Sequence, residues 1–265
     1  MASNDKWNAA DYAANSAVQY SWARELISHL KLRGDERVLD VGCGDGKITA
    51  ELARSVSEGQ VIGVDSSPEM IRFACETFPA KTNPNLKFQT GDARGLESIG
   101  KFDLLFSNAA LHWVEDHHAF LRGAAAVLKP GGRLMVSCGG KGNAHDVFLA
   151  LRPEMRLARW RKFFRNISKP YFFYAPEDYE KWLPGFGFKS LRIKLEPKDA
   201  IYAGAEGFAT WLRTTWLPYT QRVPGELRED FIAAVTARYL ARHSADKAGL
   251  VHVRMVRLEI DAIKN

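Results

Sequence analysis

The chain has 265 residues, 46% hydrophobic and 26% charged, the balance of an ordinary globular protein with ample length for a substantial core. Its formal net charge of +6 suits an anionic substrate or partner but is too mild to mark a nucleic-acid binder. Cys43, Cys75 and Cys138 form no CxxC pair, so neither a disulfide framework nor a zinc ribbon is indicated, and a reducing, cytoplasmic setting is expected.

The N-terminal stretch MASNDKWNAADYAANS has no apolar h-region and does not read as a secretory signal, and no run approaches the length of a membrane span. From residue 16, Val18, Trp22, Leu26 and Leu30 recur every four residues and predict an amphipathic helix ending near Gly34. RVLDV (37–41) reads as a strand, GCGDG as a turn and KITAELARSV as a helix. The order then repeats. QVIGVD (60–65) is a strand, and SPEMIRFACETF is a helix with Ser67 as N-cap and Pro68 in its first turn. LKFQT (86–90) and FDLLFSN (102–108) are strands. A helix follows from about His117 to Leu128, ended by KPGG, and RLMVSC (133–138) is the fifth strand. Apolar strands separated by amphipathic helices imply a parallel sheet covered on both faces, and right-handed crossovers make it doubly wound.

After Gly142 the pattern changes. Residues 143–183 are helical and basic, then aromatic. FKSLRIKLE (188–196) and VHVRMVRLEIDAI (251–263) alternate as strands, and 205–217 and 225–243 read as helices. The expected organisation is a core over 1–142 with an N-terminal lid helix, a helical and aromatic cap insertion over 143–187, and the last strands of the sheet over 188–265 with cap helices at 205–243.

Gly42, Gly44 and Gly46 stand between a strand and a helix, where a tight turn lets a ligand approach the backbone. The spacing is GxGxG rather than the GxGxxG of a dinucleotide fingerprint, and Asp40 precedes the turn, which suits a cationic ligand. Asp65 ends the second strand, where a carboxylate accepts both hydroxyls of a ribose. Asp92 follows the third strand and is placed to meet an adenine amino group. A ligand with a ribose, an adenine and an ammonium group matches S-adenosylmethionine.

VLDVGCGDG, VIGVDSSPEMI, FQTGDA, FDLLFSNAALHWV and LKPGGRLMVS together resemble the successive motifs of the seven-stranded, Rossmann-like S-adenosylmethionine-dependent methyltransferases, over roughly residues 15–140. By that resemblance Asp40, Gly42 and Gly44 lie at the methionine part of the cofactor, Asp65 at the ribose, and Asp92 and Ala93 at the adenine. Ser66 and Met70 flank the adenine, and Asn108 and Ala109 face the sulfonium. WNAADYAANSAVQ, SSPEMI, SNAALHWV and TWLRTTWLPY give a finer resemblance to trans-aconitate and juvenile hormone acid methyltransferases, which implies a small-molecule carboxylic acid as acceptor. A carrier-protein-bound acid, another nitrogen, carbon or oxygen acceptor, and a cofactor-binding protein without transferase activity stay open.

A carboxylate is ionised at pH 7 and attacks a sulfonium methyl in line without a general base. The residues expected around the acceptor are therefore aligning ones: Tyr12, Gln19, His112, Trp113, Trp211 and Trp216. Gln19 matches a functional glutamine of the juvenile hormone acid methyltransferases. Trp211 and Trp216, five apart on an expected helix, do not share one face well, so one reads as core and the other as pocket. The run YFFY (171–174) either lines an apolar pocket or packs the insertion. Three histidines, a glutamate and an aspartate crowd residues 112–118, but His117 and His118 are adjacent rather than four apart, so no metal site is expected. Asp116 reads as a helix cap. Residues 152–169 carry Arg152, Arg156, Arg159, Arg161, Lys162, Arg165 and Lys169 against one acid: a solvated face, a dock for an acidic acyl carrier protein, or an RNA contact, which the scattered charge elsewhere and the sparse aromatic interleaving disfavour.

Overall fold

Val, Ile, Leu and Phe runs that bury both faces make short parallel strands, and the first four appear where the sequence puts them. They are β1 (Arg37–Val41), β2 (Gln60–Asp65), β3 (Leu86–Thr90) and β4 (Phe102–Asn108). The computed structural model describes residues 8–15 and 17–265; Trp7 and Ser16, within the motif WNAADYAANSAVQ, lie outside them. Helices α1 (Ala9–Asn15) and α2 (Ala17–Ser28) precede β1, and α3 (Lys47–Ser55) and α4 (Pro68–Thr77) follow β1 and β2. The Ser67 hydroxyl accepts the Met70 N–H, the expected cap of α4. Asp116 caps α5 (His117–Val127) by accepting the Ala119 N–H at 2.9 Å.

The fifth strand departs from expectation. β5 runs from Leu128 to Gly139 and includes KPGG, which the sequence had read as a helix-ending turn. Phe102 pairs with Leu128 and then Leu104 with Arg133, so the proline and glycines form a bulge inside the strand. Beyond it come α6 (His145–Arg156), α7 (Pro176–Trp182), β6 (Phe188–Ala203), α8 (Gly204–Thr215), α9 (Leu217–Thr220), α10 (Gly225–Leu240) and β7 (Leu250–Lys264). The stretch expected as one helix over 205–217 breaks at Trp216 because Pro218 opens the first turn of α9.

The sheet order is β3-β2-β1-β4-β5-β7-β6. The pairs among β1 to β5 are parallel, and β7 lies antiparallel to β5. This is the mostly parallel, seven-stranded, doubly wound α/β sheet expected from the sequence. Alternate strand residues feed two cores. Val38, Val61, Leu104 and Met135 pack with Leu26, Leu30 and Leu52 on one face. Leu39, Ile62, Leu105 and Val136 pack with Phe120, Leu121 and Val127 on the other.

Two compact units emerge. The sheet unit comprises Gln19–Lys141, Tyr171–Glu196 and Arg257–Asn265; the helical unit comprises the described residues up to Val18, Gly142–Pro170 and Pro197–Val256. Within the helical unit, Trp160 meets Phe231 edge-on at 5.3 Å and Phe208 stacks on Tyr239 at 4.5 Å. The Arg238 Nε donates to the buried Glu154 carboxylate at 2.6 Å, joining α10 to α6.

The reversed strand β7 is pinned by a two-point ion pair. Arg133 Nε and Nη2 each donate to one Asp261 oxygen at 2.8 Å, and Nη1 donates to the Leu30 carbonyl at 3.0 Å. Removing Asp261 leaves a partly buried arginine with the Leu30 carbonyl and solvent. Asp261→Ala is expected to lower the unfolding free energy in urea by about 1–3 kcal/mol; a change within experimental error would show that β7 is held by backbone pairing alone.

Candidate functional site

The turn after β1 is built on close backbone contact. Gly42 and Cys43 both donate their N–H to the Val64 carbonyl, at 2.7 and 3.1 Å. Gly42 has φ +77°, and a Cβ there would stand 2.1 Å from the Ala110 Cβ. Gly46 has φ +81° at the start of α3, and its Cβ would meet Phe88 at 2.8 Å and Ala74 at 2.9 Å. Both positions therefore require glycine on conformational and steric grounds.

Two carboxylates underlie this turn. Asp65 accepts the Gly44 N–H on one oxygen and the Ser67 N–H on the other, each at 2.9 Å. Those donors favour its charge, but burial outweighs them and raises its pKa. Asp40 is 2% exposed and accepts the Thr49 hydroxyl at 2.8 Å. Burial, with a smaller push from Asp65, carries it to about 7. Two acids that resist ionising make a place where a cation is favoured.

Asp92 sits on an exposed turn, and Arg94 engages it through its backbone N–H and its Nε, both at 2.9 Å. That hydrogen bonding holds its carboxyl below the usual range. Ser66 is exposed, Ala93 packs against the core, and Met70 is buried within the packing of α4.

At the end of β4 the Asn108 amide is tied at both ends. Its Nδ2 donates to the Gln19 carbonyl at 3.4 Å and its Oδ1 accepts from Arg257 Nη2 at 3.1 Å. Arg257 is 3% exposed; its Nη2 also donates to the Ser137 carbonyl at 2.6 Å and its Nε to the Ser137 hydroxyl at 3.2 Å. The guanidinium lies over the Trp22 ring, 5.6 Å from its centroid. Ala109 takes φ +57° and donates its N–H to the same Ser137 carbonyl at 2.8 Å. The Gln19 Oε1 is buried and has no hydrogen-bond partner among the described residues.

Arg257 belongs to none of the motifs that point to the site. The available signal was its parity, because Arg257 shares the alternation of Val251 and Val253, both fully buried on β7.

The short turn Leu111–Trp113 carries His112 and Trp113. His112 Nδ1 accepts the Gly139 N–H at 3.3 Å, which puts the proton of the neutral ring on Nε2. Desolvation and the Arg257 charge push its pKa down to about 3. The aromatic run 171–174 belongs to this region: Phe172 donates its N–H to the His112 carbonyl, and Tyr171 meets Trp113 edge-on at 4.8 Å. Tyr171 and Phe173 stack at 5.6 Å.

His117 has a different place. It is 2% exposed, with Nε2 at 2.8 Å from the Leu111 carbonyl and Nδ1 at 2.6 Å from the Tyr179 hydroxyl. It is a core hydrogen-bonding residue, which the sequence did not reveal. Desolvation carries its pKa to about 4. His118 is exposed, its ring against Trp182.

In the helical unit Tyr12 lies on α1, its N–H bonded to the Asn8 carbonyl. Trp211 and Trp216 are both buried and meet edge-on at 5.6 Å, against the expectation that they diverge. The break after Thr215 swings Trp216 back beside Trp211, within an aromatic core that includes Phe148 and Tyr219.

Residues 32–162 match the family model described as a methyltransferase domain. The chain is 30% identical to the trans-aconitate 2-methyltransferase of Deinococcus radiodurans, covering 94% of this chain and 96% of that protein. Among solved structures it resembles the YcgJ protein of Bacillus subtilis, with TM-score 0.63 and 20% identity over 93% of this chain and 99% of that one. It also resembles the Haemonchus contortus phosphoethanolamine N-methyltransferase 2 solved with S-adenosylhomocysteine, with TM-score 0.61 and 16% identity over 97% of this chain and 56% of that one.

The histidine pair yields a signed test. A group whose folded pKa is depressed from 6.5 to about 4 leaves the unfolded chain with more bound protons between those values, so stability falls as pH falls through that window. Relative to His117→Gln, the wild type is expected to keep its largest stability advantage above pH 6.5 and to lose on the order of 3 kcal/mol of it by pH 4. Urea unfolding of both proteins across that range measures it; a pH-independent difference would contradict a buried neutral His117.

Proposed function

Because the chain belongs to the seven-stranded S-adenosylmethionine-dependent methyltransferases, we propose that it O-methylates the carboxylate of a small or lipid-like acid. The observation that carries this reading is the state of His112. With Nδ1 occupied by the Gly139 N–H and a pKa near 3, it is too weak a base to take a proton from an alcohol or an ammonium acceptor. A carboxylate needs no such help. The near-full-length likeness to a trans-aconitate 2-methyltransferase supports an acid acceptor. The apolar rings of Trp113, Tyr171 and Phe173 favour a hydrophobic acid over a polyacid.

S-adenosylmethionine is the cofactor and supplies a sulfonium-borne methyl group. The chain's residues fit it. Asp65, held by two backbone donors at the carboxyl end of β2, is the ribose acceptor in this reading. Asp40 below the glycine turn provides negative potential toward a cationic head, with Gly42 and Gly44 giving backbone access. Asp92 and Ala93 with Ser66 border the adenine side, while the buried Met70 supports that wall from within α4. Asn108 and Ala109 are fixed at the methyl side by Arg257 and Ser137. The Gln19 Oε1, a buried acceptor without a partner among the described residues, suits an ammonium; turned over, the same amide offers N–H groups to a carboxylate.

Toward the acceptor, His112 presents a neutral Nε2–H donor and Trp113 an indole face. Both orient a carboxylate oxygen in line with the methyl group and keep water away. Bound there, the cofactor would supply its methyl group to that oxygen and keep the carbon–sulfur electron pair on sulfur, so His112 and Trp113 would have no proton to move.

A labelled-methyl assay over a panel of carboxylic acids tests this. The product should be base-labile, and apolar acids should turn over best; base-stable product would overturn the reading. Trp113→Ala is expected to lower turnover by roughly 10–100-fold with cofactor affinity unchanged. Since Asp40 titrates near 7, cofactor affinity should fall about tenfold from pH 8 to pH 6 as its charge is lost, and Asp40→Asn should flatten that profile in calorimetric titration.

A further inference from the structure

The basic segment 152–169 has no part in the chemistry above, and its arrangement is specific. On α6 the residues Val147, Ala150, Leu151 and Glu154 are buried, so His145, Leu149, Arg152 and Arg156 share the outward face. The chain continues into exposed Leu157, Arg161 and Lys162. Among the described residues four large hydrophobic side chains are exposed, and two of them belong to this segment: Leu149 at 39% on the outward face of α6, and Leu157 at 45% directly after its last turn.

The acids nearby are already committed. Glu154 is buried and accepts from Arg238, and Asp230 is paired with Arg159. Arg152, Arg156, Arg161 and Lys162 have no carboxylate partner among the described residues. Arg152 leans on Phe148 and Lys162 on Phe163, which holds their charges over apolar surface.

We propose that this face attaches the protein to bilayers that carry anionic headgroups. Cations spread along a helix and its following loop, with two exposed leucines among them, suit a surface that offers both negative charge and a place for an apolar side chain to enter. An acidic protein would answer the charge but not the two exposed leucines. The attachment stands apart from the identity of the methyl acceptor.

Flotation of the whole chain with vesicles provides the test. Binding to phosphatidylcholine mixed with phosphatidylserine is expected at low salt, with little to phosphatidylcholine alone and loss at high salt. Each cation near such a surface contributes roughly fivefold, so the triple variant Arg156→Gln, Arg161→Gln, Lys162→Gln should partition ~100-fold less. Leu157→Asp should weaken binding further. S-adenosylmethionine affinity, unchanged in these surface variants, reports that they fold. Failure of anionic vesicles to bind, equal binding to neutral vesicles, or a triple variant that binds like wild type would each overturn the proposal. Capture by a purified acidic acyl carrier protein without vesicle binding would overturn it in favour of a protein partner.

Discussion

An arginine cannot shed its charge, so a buried guanidinium forces its surroundings to supply oxygen. Arg257 imposes that demand at the end of the sheet. It draws the Ser137 carbonyl and hydroxyl from β5 and the Asn108 side chain from β4, and it lies over Trp22 of α2. Asn108, oriented by this contact, turns its other end to the Gln19 carbonyl. Ala109 accepts a left-handed backbone to share Ser137. Four elements are thereby fixed around one cation, and the same cation helps keep His112 neutral.

The parallel half of the sheet was legible because burial on both faces leaves a plain mark: unbroken apolar runs bounded by turn residues. β1 to β4 match to the residue. The start of β5 was hidden because a proline and two glycines signal a turn, whereas here they make a bulge that keeps pairing with β4. The glycine turn and the acids Asp40, Asp65 and Asp92 could be located from strand ends alone. His112 and Arg257 were harder. What defines His112 is an amide 27 positions away, and what defines His117 is the hydroxyl of Tyr179, 62 positions away. Contacts of that range leave no periodicity. Trp211 and Trp216 were misjudged for a local reason, since five residues mean divergence only if the helix continues, and it stops at Thr215.

The histidines also show how little residue type decides. His112 and His117 are five positions apart, both desolvated and both held neutral, yet the second is locked between a carbonyl and a phenol while the ring of the first accepts the Gly139 N–H. Asp40 mirrors them with opposite sign, an acid raised toward neutrality by the same loss of water. Asp40 and His112 are thus shifted toward neutrality and respond to charge that a ligand brings.

The position of β7 has a consequence for how the molecule is made. It lies in the sheet between β5 and β6, yet it is translated after β6, with three helices in between. As the nascent chain leaves the ribosome, β6 emerges before the strand that joins it to β5 has been synthesised. Its backbone edge must wait unpaired through α8, α9 and α10, exposed to chance pairing with other chains. A translational pause between β6 and β7 would lengthen that interval, so the codons of α8 to α10 bear on yield even though their residues take no part in the sheet.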